Sequence, residues 1–251
     1  MPLVSILVSA YNRKDMIIGA LQSIKSQTVG RDQYEVIVMV NFDDPALRSF
    51  CSENKYRLVL YHDAGIGQYI VRFAELAQAP VLAFLDDDDR WHPYRLEHLI
   101  KAWDDGTVLA KCLIDSTPFN LIGMQENCSS ITTLPQDPVR LMRQCETHAM
   151  YFNISSIAVK RDAVLHSRDT LTRVIKLSDT PIFLTGILYG GTVKYIRDVD
   201  VFYHEHPWDR VRSIDCHHDN WILLDWIVRL HDSPLREELI RFISHRGLET
   251  P

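Results

Sequence analysis

The chain has 251 residues, 46% of them hydrophobic and 24% charged, and a formal net charge of −6. That length can bury the core of one large α/β domain without a disulfide or metal staple, and the acidic balance argues against a general nucleic-acid binder. Five cysteines, Cys51, Cys112, Cys128, Cys145 and Cys216, are widely spaced, odd in number and free of any CxxC pattern. They read as reduced thiols of a cytosolic protein, not as a zinc or disulfide framework. The opening MPLVSILVSAYNR lacks a basic leader and a small-residue cleavage site, so it reads as a first strand. No stretch approaches the roughly 20 apolar residues of a membrane-spanning helix. The expected location is cytoplasmic, with peripheral attachment at the inner face of the membrane left open.

Leu3 to Ser9 is a continuous β-branched and apolar run, the pattern of a strand buried on both faces. Ile17, Ala20, Leu21 and Ile24 recur at helical spacing after it, with Asn12 as the expected N-cap and Gly30 closing the unit. Tyr34 to Val40 is a second strand, Pro45 to Ser52 a short helix opened by proline, and Arg57 to Tyr61 a third strand. A helix through Ile70, Val71, Ala74 and Ala77 precedes a fourth strand, Pro80 to Leu85. Repeated βα alternation of this kind predicts a mostly parallel sheet with helices on both faces. Ligands then bind beyond the carboxyl ends of the strands, where Tyr11-Asn12-Arg13, Asn41 to Asp44, His62-Asp63 and Asp86 to Asp89 all fall.

The second half reads less clearly. A helix with Leu96, Leu99, Ile100 and Trp103 leads to a fifth strand from Val108 to Ile114, and Ser116 to Pro135 lacks a clear period and is expected as a long functional loop. Ile154 to Val159 is strand-like, Pro181 to Leu188 a short apolar helix, and Val193 to Ile196 and Val199 to Tyr203 two further strands. Two amphipathic helices, interrupted at Ser233-Pro234, form the tail. Trp221, Leu224, Ile227 and Val228 are expected on one face, widened by Leu223 and Trp226. That face has two competing fates: packing on the main domain or a homodimer partner, or contact with a membrane surface.

The run Asp86-Asp87-Asp88-Asp89, directly after the fourth strand, carries the chemistry. Adjacent carboxylates about 5 Å apart repel by roughly 3 kcal/mol at an effective dielectric near 20, so a folded chain gathers them around a cation. Hard oxygen ligands suit Mg²⁺ or Mn²⁺, which take one or two protein carboxylates and fill the remaining positions with phosphate oxygens and water. The competing reading is a solvated acidic turn.

With these elements in place, the chain resembles a family 2 glycosyltransferase of the GT-A fold from Val4 to about His206. VSILVSAYNR is similar to that family's first strand and nucleotide-contacting turn, FLDDDDRWHP to its metal-binding signature, and SDTPIFLTGILYGG to the segment that carries its catalytic base. The resemblance implies a nucleotide-diphospho-sugar transferase domain over residues 1–215, with a donor half (1–115), an acceptor half (116–215) and a C-terminal helical extension (216–251). It also implies a nucleotide-diphosphate sugar donor, a UDP-sugar by preference, and Mn²⁺ or Mg²⁺ as cofactor. The acceptor is a hydroxyl of unspecified class, and no nucleic acid is involved. Asp86 goes to the donor sugar or ribose with Asp87 assisting, Asp88 and Asp89 to the metal, and Asp179 to the acceptor proton. Tyr11, Asn12, Arg13, Asn41, Asp43 and Arg72 contact the nucleotide, and His204 and His206 approach the phosphates or the metal.

This sequence departs from the family pattern in three places. Asn41 stands where an Asp usually reads the base, with Asp43-Asp44 displaced beyond it. Val71-Arg72-Phe73 replaces Ala-Arg-Asn, and Ser178 replaces the Glu before the base. Ser178, Asp179 and Thr180 also read as a helix cap ahead of Pro181. A sugar-phosphate nucleotidyltransferase would need an early glycine-rich phosphate loop, which Ala10 to Lys14 lacks, and a prenyl-type synthase would need spaced DDxxD motifs, which Arg90 interrupts. A non-catalytic nucleotide-sugar-binding or scaffold protein of the same fold is the alternative from a different class.

Overall fold

The structure is a computed structural model and describes residues 1–62, 65–115, 130–204 and 214–248. Strand β1 (Val4–Ala10) leads to helix α1 (Lys14–Lys25), β2 (Tyr34–Val40) to α2 (Pro45–Glu53), and β3 (Arg57–Leu60) to α3 (Ile66–Leu76). β4 (Val81–Asp86) continues into a two-residue strand, β5 (Arg90–Trp91), and then α4 (Arg95–Ala102). These strands are unbroken apolar runs because both of their faces are covered. Leu7, Ile37, Met39, Leu82 and Phe84 face one core with α3, while Ile6, Val8, Val36, Val38, Ala83 and Leu85 face another with α1, α2 and α4. Alternate residues of one strand thus feed two cores, as the period of two requires.

The remaining elements are β6 (Thr107–Asp115), β7 (Ile131–Thr133), α5 (Pro138–Thr147), β8 (Ile157–Lys160), α6 (Arg161–His166), α7 (Arg168–Leu171), α8 (Asp179–Tyr189), β9 (Thr192–Phe202), α9 (Ile214–Val228) and α10 (Pro234–Leu248). The sheet order is β3-β2-β1-β4-β8-β6-β9-β5, with β7 on β9. β3, β2, β1 and β4 are parallel, as expected, whereas β8 runs antiparallel between β4 and β6, so the whole sheet is mixed. That inversion positions the site. With Val81 opposite Lys160 and Ala83 opposite Ala158, the residues just before β8 lie beside the C-terminal end of β4, where the acidic run begins.

Other expectations are adjusted. The two strands expected at 193–196 and 199–203 are the single strand β9, which keeps pairing with β6 through register shifts at Cys112–Ile114. Ile131–Thr133, expected within a loop, pairs with β9, and 116–129 lie outside the described residues. In the tail, Ile222, Leu223 and Ile227 are buried, while Trp221 and Val228 of the predicted face point to solvent. Leu223 and Ile227 of α9 and Leu239, Phe242 and Ile243 of α10 join the core around α3 and α8. Among the described residues no helix is long and apolar enough to cross a membrane.

Candidate active site

The parallel register sets Ser9 beside Asp86 and Ala10 beside Val40, so the turn after β1 meets both the acidic run and the end of β2. Asn12 is not the expected helix cap. Its φ of 58° turns the chain, its backbone N–H donates to Asn41 Oδ1 at 2.9 Å, and its Oδ1 accepts from Asn41 Nδ2 at 2.9 Å. The N-cap of α1 is Arg13, without a side-chain cap bond, because a guanidinium has only donors and cannot accept from the first-turn N–H groups. It forks across the acidic run, donating to Asp88 Oδ2 at 2.5 Å and to Asp87 Oδ1.

Asp87 and Asp89 are almost fully buried and Asp88 is 9% exposed. Burial, with the neighbouring charge of Asp88, pushes the Asp87 carboxyl up to about 7 despite Arg13. Burial and then the charges of Asp89, Asp88 and Asp87 raise Asp86 well above the usual carboxylate range. Asp89 is also raised by burial, against the hydrogen bonds it accepts. Partial burial lowers Arg13, yet Asp87 and Asp88 outweigh it and its net shift is upward. Arg90 is a second cation here, but it donates to the carbonyls of Asp89, at 2.7 Å, and of Met16 and so clamps the turn to α1. Gly19 makes room for it, since a Cβ there would stand 2.1 Å from the guanidinium.

Four carboxylates in a row meet the fork of Arg13 here. Asp86, Asp88 and Asp89 each offer an oxygen, all within 4.8 Å of one another, and Asp87 Oδ2 is buried with no hydrogen-bond partner among the described residues. A hard divalent cation fits such an all-oxygen set. Of the three, Asp89 is the most committed. Its Oδ2 accepts from Ser155 Oγ at 2.6 Å and Asn153 Nδ2 at 2.9 Å, and its Oδ1 from the His204 backbone N–H at 2.9 Å. Ser155 Oγ in turn accepts the Asp86 N–H at 3.0 Å. His204 therefore meets the run through its main chain, and His206 lies outside the described residues.

A cleft of about 710 Å³ opens beside Asp86, lined by Ser9, Tyr11, Arg13, Tyr69 and Lys176 among others, a size suited to a small ligand. Tyr11 stands at 55% exposure on its wall. Asp43 and Arg72 are not among its lining residues: each is exposed in a local ion pair, with Arg48 and Glu75 respectively. The opposite wall, 174–178, is fitted closely to α3. The backbone carbonyls of Ile175 and Val174 accept the Ile66 and Gly67 N–H groups, and a Cβ on Gly67 would stand 1.8 Å from the Leu171 carbonyl oxygen. Asp179, in the first turn of α8, is half-buried beside this wall. Its Oδ1 accepts from the Thr180 N–H at 2.7 Å and its Oδ2 from the Asn153 N–H at 3.1 Å.

Sequence reasoning missed Lys176, Asn153, Ser155, Asp219 and Lys111. Asp219, fully buried on α9, accepts the backbone N–H groups of Ile175, Lys176 and Leu177 at 2.7–2.8 Å, so the tail fixes the cleft wall. Lys111 on β6 is 3% exposed and donates to Ser156 Oγ at 2.6 Å, and burial lowers its pKa to about 8. No motif announces these residues, because the partners that bring them to the site lie 26 to 66 positions away in the chain.

An acidic, cation-seeking edge at the carboxyl ends of a half-parallel sheet, closed by antiparallel strands, defines a GT-A glycosyltransferase fold. TarS of S. aureus (residues 1–349), in complex with UDP-GlcNAc, aligns over 97% of this chain and 72% of its own with a TM-score of 0.72 at 15% identity. The mannosyltransferase PcManGT of Pyrobaculum calidifontis, in complex with GDP-Man and Mn²⁺, aligns over 97% and 69% with a TM-score of 0.61 at 17% identity. The profile of Glycosyl transferase family 2 matches residues 5–167, and the chain belongs to that family. The glycosyltransferase AglE of Haloferax volcanii is 31% identical over 103 residues, 39% of this chain and 34% of AglE. The chain spans about a third of the length of the curated relatives it matches.

Proposed function

We propose that the protein is a metal-dependent glycosyltransferase that moves one sugar from a nucleotide-diphosphate sugar, a UDP-sugar by preference, to an acceptor hydroxyl with inversion. The observation that carries this reading is the cluster of Asp86, Asp88 and Asp89 oxygens beside a ligand-sized cleft, with Arg13 and Lys176 on its lining. TarS with UDP-GlcNAc and PcManGT with GDP-Man and Mn²⁺ support the donor class and the ion.

Asp88 would be the principal ligand of Mn²⁺ or Mg²⁺, with Asp86 and Asp89 close by; the ion would supply Lewis-acid stabilisation of the departing diphosphate, whose charge grows as the glycosidic bond breaks. Arg13 and Lys176 place positive charge where the diphosphate lies. Asp86, beside the cleft, accepts hydrogen bonds from the donor sugar or ribose. The wall with Tyr11 and Tyr69 shields the nucleotide from water and gives its base an aromatic surface. Asp179 takes the acceptor proton as the hydroxyl attacks the face opposite the leaving group, the role of a general base in a single displacement.

Calorimetric titration of UDP and of UDP-sugars, with and without Mn²⁺, followed by assay of donor hydrolysis, tests the reading. Mn²⁺-dependent binding with turnover is expected. Binding without turnover of any donor would favour a nucleotide-sugar-binding scaffold, and no binding at all would sink both.

A further inference from the structure

Asn153 has no assigned role, yet it touches both halves of the proposed machinery. It is 6% exposed and holds φ 61°, ψ 101°, a left-handed conformation that costs a non-glycine residue free energy unless its surroundings fix it. Its bonds supply that fixation. The backbone N–H donates to Asp179 Oδ2 at 3.1 Å, and Nδ2 donates to Asp89 Oδ2 at 2.9 Å. Oδ1 accepts the Ser156 N–H at 3.0 Å, and the carbonyl accepts Ser156 Oγ at 2.7 Å. Lys111 Nζ closes the arrangement from below by donating to the same Ser156 Oγ at 2.6 Å. The turned backbone sends the main-chain N–H and the side-chain amide toward two different carboxylates. Asp89 and Asp179, 90 positions apart in the sequence, share this one donor residue.

We infer that Asn153 is a positioning residue that sets the separation of Asp179 from the acidic run, and so aligns the attacking hydroxyl with the departing diphosphate. The inference rests on the glycosyltransferase reading above. Single displacement needs nucleophile, sugar carbon and leaving oxygen in line, and misplacement by about 1 Å costs on the order of a hundredfold in rate. Two carboxylates on separate elements, β4's end and α8's start, would otherwise be related only through the packing of those elements. Ser155 adds a second tie on the Asp89 side alone, so Asn153 carries the link to Asp179.

The test uses Asn153→Gly in the full chain, because glycine accepts φ 61° and keeps the N–H to Asp179 while removing the amide that anchors it to Asp89. Asn153→Asp is the second variant: it keeps the shape and the acceptor toward Ser156 but turns the donor into a carboxylate oxygen facing Asp89, so its loss of kcat should exceed that of Asn153→Gly. With Mn²⁺ present, kcat for hydrolysis of a UDP-sugar should fall roughly 10- to 100-fold, while KM and the Mn²⁺-dependent affinity for UDP change less than about threefold. In an Asp179→Asn background, Asn153→Gly should cause no further loss, because it acts through Asp179. A variant with unchanged kcat, or a loss that multiplies with that of Asp179→Asn, overturns the inference and leaves the reading standing. Wild-type protein with neither Mn²⁺-dependent UDP binding nor hydrolysis overturns both.

Discussion

Two groups of buried carboxylates in this molecule are held in opposite ways. Asp219 is a buried acid whose two oxygens accept three backbone N–H groups, so both are satisfied. Asp86 to Asp89 crowd four acids around the fork of Arg13, three of them with raised pKa and one with a buried oxygen that no described residue bonds. The first arrangement is complete within the protein and serves architecture. The second concentrates raised carboxyl pKa values beside a cleft, the pattern expected of the proposed donor and metal site.

Mutation should separate the two by which property collapses. Asp88→Ala removes the proposed principal metal ligand, so Mn²⁺-stimulated hydrolysis should fall to the detection limit. Tm should stay within about 2 °C of wild type or rise, since a like charge leaves a crowded turn. Full turnover in that variant would dissolve the contrast. Asp179→Asn keeps the shape and one of the two bonds that the carboxylate accepts from the Thr180 and Asn153 N–H groups, while removing the proton acceptor. Hydrolysis should drop by roughly two to four powers of ten at unchanged UDP affinity. Near-normal turnover would reduce Asp179 to a helix cap.

Asp219→Ala should do the reverse. Losing bonds from three N–H groups to a buried carboxylate costs roughly 2–4 kcal/mol, hence a Tm fall of several degrees, and a loosened 175–177 wall should weaken UDP binding by a smaller factor than Asp88→Ala weakens turnover. A variant that melts like wild type would show the tail to be dispensable for the wall.

Lys111 gives a stability effect with a pH signature and leaves the cleft untouched. Its folded-state pKa is lowered from 10.5 to about 8 by burial, Arg95 adding to the shift and Cys112 and Asp179 opposing it. Below pH 8 the lysine is charged in both states and the folded protein bears the whole penalty, roughly 3 kcal/mol for such a shift. Between pH 8 and 10.5 the unfolded chain binds more protons, so this group's contribution to stability rises with pH. Lys111→Met should therefore raise Tm at pH 7 by a few degrees and flatten that rise, read by thermal melts from pH 6.5 to 10.5. An unchanged slope would mean that the lysine is not the titrating group.

The candidate site was legible in proportion to how local its signals are. The acidic run, the strand before it and the Tyr11–Arg13 turn are contiguous, and βα alternation alone sends them to one sheet edge. Asn12 was misjudged because its preference for capping is also a preference for the left-handed turn it adopts, and pairing with Asn41 decided between the two. Helix α5 was overlooked although Asp137, which accepts the Arg140 N–H, and Pro138 signal its start, because only Met142 and Cys145 of its face are buried. Arg13 read as a nucleotide contact, and nothing local revealed that it would lie across Asp87 and Asp88.

By itself, then, the sequence determined the β1–β4 half, its two cores and the place of the acidic run, since hydrophobic period and strand length are properties of contiguous residues. Only the tertiary structure decided that β8 enters antiparallel beside β4. That single reversal delivers Asn153 and Ser155 to Asp89 and Asp86, and it brings Asp179 within reach of the same residue. Likewise only packing brought Asp219 under the cleft wall and Lys111 under Ser156. The direction in which a short buried strand inserts depends on which neighbours remain unpaired, and those neighbours, β4 and β6, are made by chain far from its own residues.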